Sequence, residues 1–174
     1  MGPYVEYPGR VQPDDGPTLI AFDGSAAARQ AVAAAATLLK PRVTLVLTVW
    51  EAALAHAAVA APPDVGMTPT VDPSTVLTVD EALRGRAERV ANEGAELARS
   101  LGLEAEPLAM ADARDIARTI VEVARDHKAT TIVVGSRGLS GLRARFEGST
   151  SKGVVKHAQC PVFVVHDAGA DEPA

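Results

Sequence analysis

Residues 130–138 read TTIVVGSRG, and a second pair of small residues, Gly148-Ser149, follows ten positions after Gly138. The run Thr130 to Val134 is β-branched throughout, which suits a buried strand. Gly135 to Gly138 breaks that pattern. A short helix is predicted from about Ser149 to His157, and a last strand over Pro161 to His166 (PVFVVH). Strand, glycine loop, helix and strand form the unit of a parallel sheet, because parallel neighbours need a crossover and not a tight turn.

The same alternation recurs towards the N-terminus. Thr18 to Phe22 (TLIAF) is a short apolar strand ending at Asp23-Gly24-Ser25, and Ala26 to Lys40 is Ala-rich with high helix propensity and Ser25 as its N-cap. Pro41 closes that helix, and Val43 to Val49 (VTLVLTV) predicts the second strand. Glu51 to Thr78 carries Pro62, Pro63, Pro69 and Pro73 and is expected to be a long loop, residues 51–78. Asp80 is the expected cap of a helix running to Leu101, where Gly102 stops it. Leu103 to Ala109 is a weaker strand that Pro107 assigns to a sheet edge. Ile116, Ile120, Val121, Val123 and Ala124 form an apolar stripe over residues 113–127, with Asp112 as the expected cap.

Five strands alternating with four helices predict an α/β fold. The expected architecture is a single doubly wound domain, a five-stranded parallel sheet with helices on both faces. Residues 1–17 and 167–174, rich in Pro, Gly, Asp and Ala, are expected to be flexible tails on a domain of residues 18–166.

Composition narrows the function classes. At 174 residues the chain fits one domain, and 47% hydrophobic residues supply a sizeable core. Seventeen Lys and Arg against 22 Asp and Glu give a net charge of -5, which argues against nucleic acid as partner. Aromatic residues make up 3%, too few for a series of base-stacking platforms. Cys160 is the sole cysteine, so no intrachain disulfide forms, as suits a reducing compartment. Met1 to Asp15 has neither the basic start nor the apolar run of a signal peptide. The longest apolar tract, Val43 to Ala61, is broken by Thr44, Thr48, Glu51 and His56, so no membrane span is expected. A cytoplasmic protein is the resulting expectation.

In an open α/β sheet, ligands bind beyond the carboxyl ends of the strands, where connections diverge to opposite faces. Two segments lie at such ends: Asp23-Gly24-Ser25 and Gly135-Ser136-Arg137-Gly138. Glycines let the backbone approach a phosphate, and the helix start at Gly148-Ser149 adds exposed N–H groups and the positive end of a dipole. Residues 137–156 carry Arg137, Arg143, Arg145, Lys152 and Lys156 against Glu147 alone, a local excess of cations suited to an anionic ligand. The same charges also suit a solvated basic face. Ser149 serves equally as a helix cap or a phosphate contact, and Asp23 as the orderer of its own turn or an acceptor from ribose hydroxyls. Val49 and Val134 are core residues that can also wall an adenine ring.

Other nucleotide and metal chemistries fail on spacing. There is no GxxxxGK[ST] phosphate loop and no GxGxxG after a strand. His56, His127, His157 and His166 lack the spacing of metal ligands, and Cys160 beside Pro161 reads as a small buried hydrophobe.

Asp23 at a strand end, the spacing Gly135-x2-Gly138-x9-Gly148-Ser149 and the closing CPVFVV of residues 160–165 resemble the universal stress protein family, in its ATP-binding, glycine-motif branch. The resemblance covers about residues 18–166. It implies the adenine nucleotide alpha hydrolase-like fold, and a homodimer formed through the last strand, Val162 to Val165. It further implies that Asp23 holds the ribose hydroxyls, that Val49 lines the adenine pocket, and that Gly135, Gly138, Gly148 and Ser149 cradle the phosphates, with Val134 and Arg137 beside them. Mg would bind through phosphate oxygens, without protein ligands. Glu147 stands where the family commonly carries an apolar residue.

The expected function is therefore an ATP-binding module in stress response or signalling. The alternatives are a slow ATPase or autophosphorylating enzyme using Ser149, Thr150 or Ser151 as acceptor, a cyclic-nucleotide binder, and a nucleotide-free interaction scaffold. No catalytic residue is assigned.

Overall fold

The computed structural model describes residues 16–39, 43–52, 73–112, 115–136 and 149–166. In chain order the elements are β1 (Thr18–Ala21), α1 (Ala26–Leu38), β2 (Val43–Glu51), α2 (Pro73–Ser100), β3 (Glu104–Asp112), α3 (Ile116–Asp126), β4 (Thr131–Gly135), α4 (Ser149–His157) and β5 (Val162–Val165). The five strands form one sheet in the order β3-β2-β1-β4-β5. Every neighbouring pair is parallel. This is the doubly wound α/β arrangement predicted from the alternation of elements, and β3, with Pro107, does lie at an edge.

Strand order explains the layering. From β1 the chain steps outward through β2 to β3, then crosses back to β4 on the other side of β1 and steps outward to β5. Right-handed crossovers taken in opposite directions place their helices on opposite faces. Two separate cores result. On one face Ile20, Phe22, Val46 and Val133 pack under α1 and α2, whose contributions are small, including Ala28, Ala31, Ala95 and Ala98. On the other face Leu19, Leu45, Leu47, Ile132 and Val134 pack under Ile120 and Val123 of α3 and Val154 of α4. Successive strand residues alternate between the two cores, as the pleat demands.

Several boundaries differ from the sequence reading, each for a local reason. Both ends of the segment expected as a loop over residues 51–78 are regular: Glu51 extends β2, and α2 begins at Pro73, seven residues before Asp80. Pro73 opens that helix, since its fixed φ and missing N–H cost nothing in a first turn. Residues 53–72 lie outside the described residues, as do 1–15 and 167–174, which hold all but two residues of the expected tails. α2 stops at Ser100, where the Leu103 N–H reaches back to the Ala98 carbonyl at 3.0 Å and Gly102 closes the motif. The cap of α3 is Asp115 and not Asp112. Asp115 Oδ1 accepts from the Ala117 N–H at 2.9 Å, while Asp112 ends β3 and accepts from the Asp115 N–H and the Thr119 hydroxyl.

Candidate functional site

Strand order reverses between β1 and β4, so the crevice beyond their carboxyl ends is where a ligand site is expected. The β1 side is built by a tight turn. Asp23 Oδ1 accepts from the Ser25 N–H at 3.0 Å, and Ser25 Oγ accepts from the Ala28 N–H at 3.1 Å, capping α1 as predicted. Between them Gly24 takes φ +79°, a left-handed backbone that costs glycine little. The same end is pinned to β2, because the Phe22 N–H donates to the Leu47 carbonyl and the Thr48 hydroxyl donates to the Phe22 carbonyl, both at 2.8 Å. Val49 follows directly. It is half-buried against the α3–α4 core, the face that also receives Ala21 of β1.

The β4 side is closed more tightly. A β-carbon on Gly135 would lie 2.8 Å from the Ala27 carbonyl carbon and 3.0 Å from the Ala27 β-carbon, so only glycine lets the strand end pass the first turn of α1. Val134 is buried in the α3–α4 core. Ser136 then continues the ladder to β5: its N–H donates to the Val165 carbonyl at 2.8 Å, as the Ile132 N–H does to the Pro161 carbonyl four residues earlier. That phase places Ser136 on the face of Ile132 and Val134. The residue is 2% exposed. Among the described residues, Ser136 Oγ is the buried side-chain polar atom with no hydrogen-bond partner. The β1–β4 pairing ends at Ile20 and Val133, three residues short of Asp23 and of Ser136.

Of the residues singled out in the sequence, Asp23, Val49, Val134 and Gly135 therefore come to one end of the sheet. Arg137, Gly138 and Gly148 lie outside the described residues. Ser149 is the first residue of α4 and exposed, inside the helix where the sequence suggested a cap before it. Sequence reasoning gave Ser136 no role, although a small polar residue in phase with Ile132 and Val134 was a signal for it. Thr48, read in the sequence as a polar break in the Val43–Ala61 tract, ties β2 to the end of β1. Cys160 packs against the α3–α4 core, and burial pushes its thiol above the ordinary value, with hydrogen bonding at the Cys160 and Ile132 backbones partly opposing. That is no environment for a thiolate nucleophile. Among the described residues no group of three His, Cys, Asp or Glu side chains can hold a metal ion.

A profile of the universal stress protein family matches residues 17–166, nearly the whole described chain. The chain belongs to the universal stress protein family. A universal stress protein from Thermus aquaticus, encoded in the QAH/OAS sulfhydrylase 3′ region, is 38% identical over 86 residues, which is 49% of this chain and 62% of that one. The chain thus spans somewhat less than two thirds of that relative's length. The solved universal stress protein UspA from Lactobacillus plantarum superposes with a TM-score of 0.66 at 22% identity, covering 86% of this chain and 97% of the other. The universal stress protein from Archaeoglobus fulgidus, solved in complex with dAMP, gives 0.54 at 20% identity, with 86% and 97% covered. At these identities the structural likeness is one of fold. Among the described residues of this universal stress protein, no helix is long and apolar enough to cross a membrane.

Proposed function

We propose that this universal stress protein binds an adenine nucleotide, ATP foremost, in the crevice where β1 and β4 diverge. The observation that carries the reading is the meeting, at the reversal of strand order, of a carboxylate-bearing turn at Asp23 and a strand end at Gly135 with no side chain of its own. A buried hydroxyl next to Gly135, that of Ser136, has no hydrogen-bond partner among the described residues, which fits a ligand that brings polar atoms. The dAMP complex of the Archaeoglobus relative, which shares the fold, supports an adenine nucleotide as the class.

In this reading Asp23 accepts hydrogen bonds from the ribose hydroxyls, and half-buried Val49 forms a wall for the adenine, with Val134 beneath it in the core. Gly135 opens the phosphate cradle that Gly138, Gly148 and Ser149 complete, and Arg137 supplies positive charge. Mg rides on the phosphate oxygens. The protein works as a binder in stress response or signalling, in the cytoplasm, and as a homodimer. β5 supports the last point, since it is a terminal strand of the sheet and wholly apolar.

Calorimetric titration of ATP with magnesium into nucleotide-stripped protein tests the reading, with Asp23→Ala and Gly138→Val run alongside. Saturable binding by the parent, much weakened in both variants, is expected. No heat and no thermal shift from the parent would make the protein a nucleotide-free scaffold. Multiple-turnover phosphate release would make it an enzyme.

A further inference from the structure

The two faces of the sheet are covered unequally at its β3 edge. Ala105 packs into the α1–α2 core and Leu108 against the α3–α4 core, so Glu104, Glu106, Leu108 and Met110 share the α3 side of the strand. On the opposite side α2 lies along β3, whereas on this side α3 only brushes it. In register with these residues are Val43 beside Glu104, Leu45 beside Glu106, Leu47 beside Leu108 and Val49 beside Met110. Val43 is 39% exposed and Met110 38%, and both glutamates are exposed. The result is a shelf next to α3, apolar at Val43, Leu108 and Met110 and acidic at Glu104 and Glu106.

The shelf carries charge of one sign. Neither β2 nor β3 contains a Lys or Arg, and among the described residues neither Glu104 nor Glu106 forms an ion pair. The edge of β3 is guarded against a further strand, because Pro107 has no N–H to offer and repeated charge blunts an edge. The face is not guarded in this way. An exposed methionine beside aliphatic side chains suits a helix laid across them, since its unbranched side chain adapts to the shape above it.

We infer that this shelf is a docking surface for a basic amphipathic helix of a partner protein. The helix lies over β3 alongside α3, so that the helical layer reaches the edge strand as it already does on the α2 side. Its apolar stripe covers Val43, Leu108 and Met110, and its Lys or Arg side chains meet Glu104 and Glu106. Charge complementarity selects the basic partner, because an acidic helix would set like charges against each other. Docking needs no nucleotide, so it is measured on the nucleotide-free protein and does not depend on the crevice.

The probe is a fluorescently labelled synthetic peptide of about five helical turns, with leucine at i, i+3, i+4 and i+7 and lysine elsewhere. Its anisotropy is followed as the full chain is added at physiological salt. Saturable binding to the parent is expected, about tenfold weaker in Glu106→Lys and in Met110→Asp. Glu96→Lys, the same charge change at an exposed position of α2, should bind as the parent does. Met110→Asp adds an acid, so tighter binding by that variant would reduce the effect to general attraction and overturn the inference. An equal loss in Glu96→Lys would overturn it for the same reason, and no saturable binding by the parent would refute it outright. A peptide of the same composition with leucine and lysine alternating, the period of a strand, should bind about tenfold less; equal binding would mean that the edge and not the face is read. Sedimentation completes the test: a lower mass for Glu106→Lys than for the parent would show that a second copy occupies the shelf, and would overturn the partner helix.

Discussion

Gly135 of β4 stands against Ala27 of α1 so closely that a β-carbon placed on it would come within 2.9 Å of the Ala27 carbonyl oxygen. The contact joins the two halves of the crevice. Ala27 lies in the first turn of α1, two residues after the Ser25 cap and four after Asp23. Whatever moves Ala27 therefore moves the carboxylate assigned to the ribose. The glycine that starts the phosphate series is needed by the fold as well as by a ligand.

Replacing Gly135 by Ala should consequently damage stability and binding together. The backbone of α1 must yield by several tenths of an ångström, and overpacking of this kind costs about 1–3 kcal/mol. Urea denaturation should show that loss, and ATP titration a weakened site. An unchanged denaturation midpoint would mean that α1 moves freely and that Gly135 serves the ligand alone.

Asp23 has two tasks that substitution can separate. Its Oδ1 accepts from the Ser25 N–H at 3.0 Å, a bond that an Asn side-chain carbonyl can also make. Asp23→Asn should therefore stay within about 0.5 kcal/mol of parent stability, whereas Asp23→Ala should lose about 1 kcal/mol. Both should weaken ATP about tenfold, because the charged acceptor for the ribose hydroxyls is gone. Comparing ATP with 2′-deoxy-ATP sharpens the point: the parent should prefer ATP, and both variants should not. Equal preference across all three proteins would remove Asp23 from the ribose.

The fold was legible because its signals are local. β-branched runs such as Val43 to Val49 and Thr130 to Val134, separated by the Ala-rich helix and by the stripe through Ile120 and Val123, carry the α/β alternation in the sequence itself. Strand order is not local: the alternation of elements implies a doubly wound sheet with ligand-binding strand ends, but not that β1 and β4 are the neighbours between which the order reverses. The start of α2 was misplaced because Pro73 is both a loop residue by composition and a good first residue of a helix. Asp112 and Asp115 are equally good caps on paper. What decides between them is that β3 runs on through Asp112, paired with Glu51 of β2. For the site, residue type identified Asp23 and Gly135. The buried state of the Ser136 hydroxyl depends on tertiary packing that no spacing rule reports.

Lys128, at the end of α3, offers a stability test away from the crevice. Its backbone is left-handed, φ 53°, and the turn it makes lets the Ala129 N–H reach the Ala124 carbonyl at 2.7 Å. A non-glycine residue there costs about 1 kcal/mol, part of which glycine would give back through its freer unfolded chain. Lys128→Gly should therefore stabilise the protein by about 0.5 kcal/mol, read as a higher denaturation midpoint with unchanged ATP affinity. A lower midpoint would show that the lysine side chain contributes more than its backbone costs.

The final strand carries the proposed assembly. β5 ends the sheet, so among the described residues one side of its backbone has no neighbouring strand, and its four residues, Val162 to Val165, are all apolar. Phe163 is 43% exposed although it shares the phase of Val165, which packs into the α1–α2 core. An apolar strand at a sheet edge invites pairing, and in a homodimer the simplest closed form is a twofold contact of β5 with its copy. Phe163 is the better probe than Val164, which packs against the α3–α4 core and whose replacement would disturb folding. By sedimentation the parent should show twice the chain mass and Phe163→Lys the mass of a single chain, with the melting curve of the variant still cooperative. Because the Ser136 N–H bonds the Val165 carbonyl at 2.8 Å, the same strand that would form the interface also holds the crevice end of β4. A dimer that dissociates in Phe163→Lys should therefore bind ATP more weakly as well. A parent that sediments as a single chain would refute the twofold contact outright.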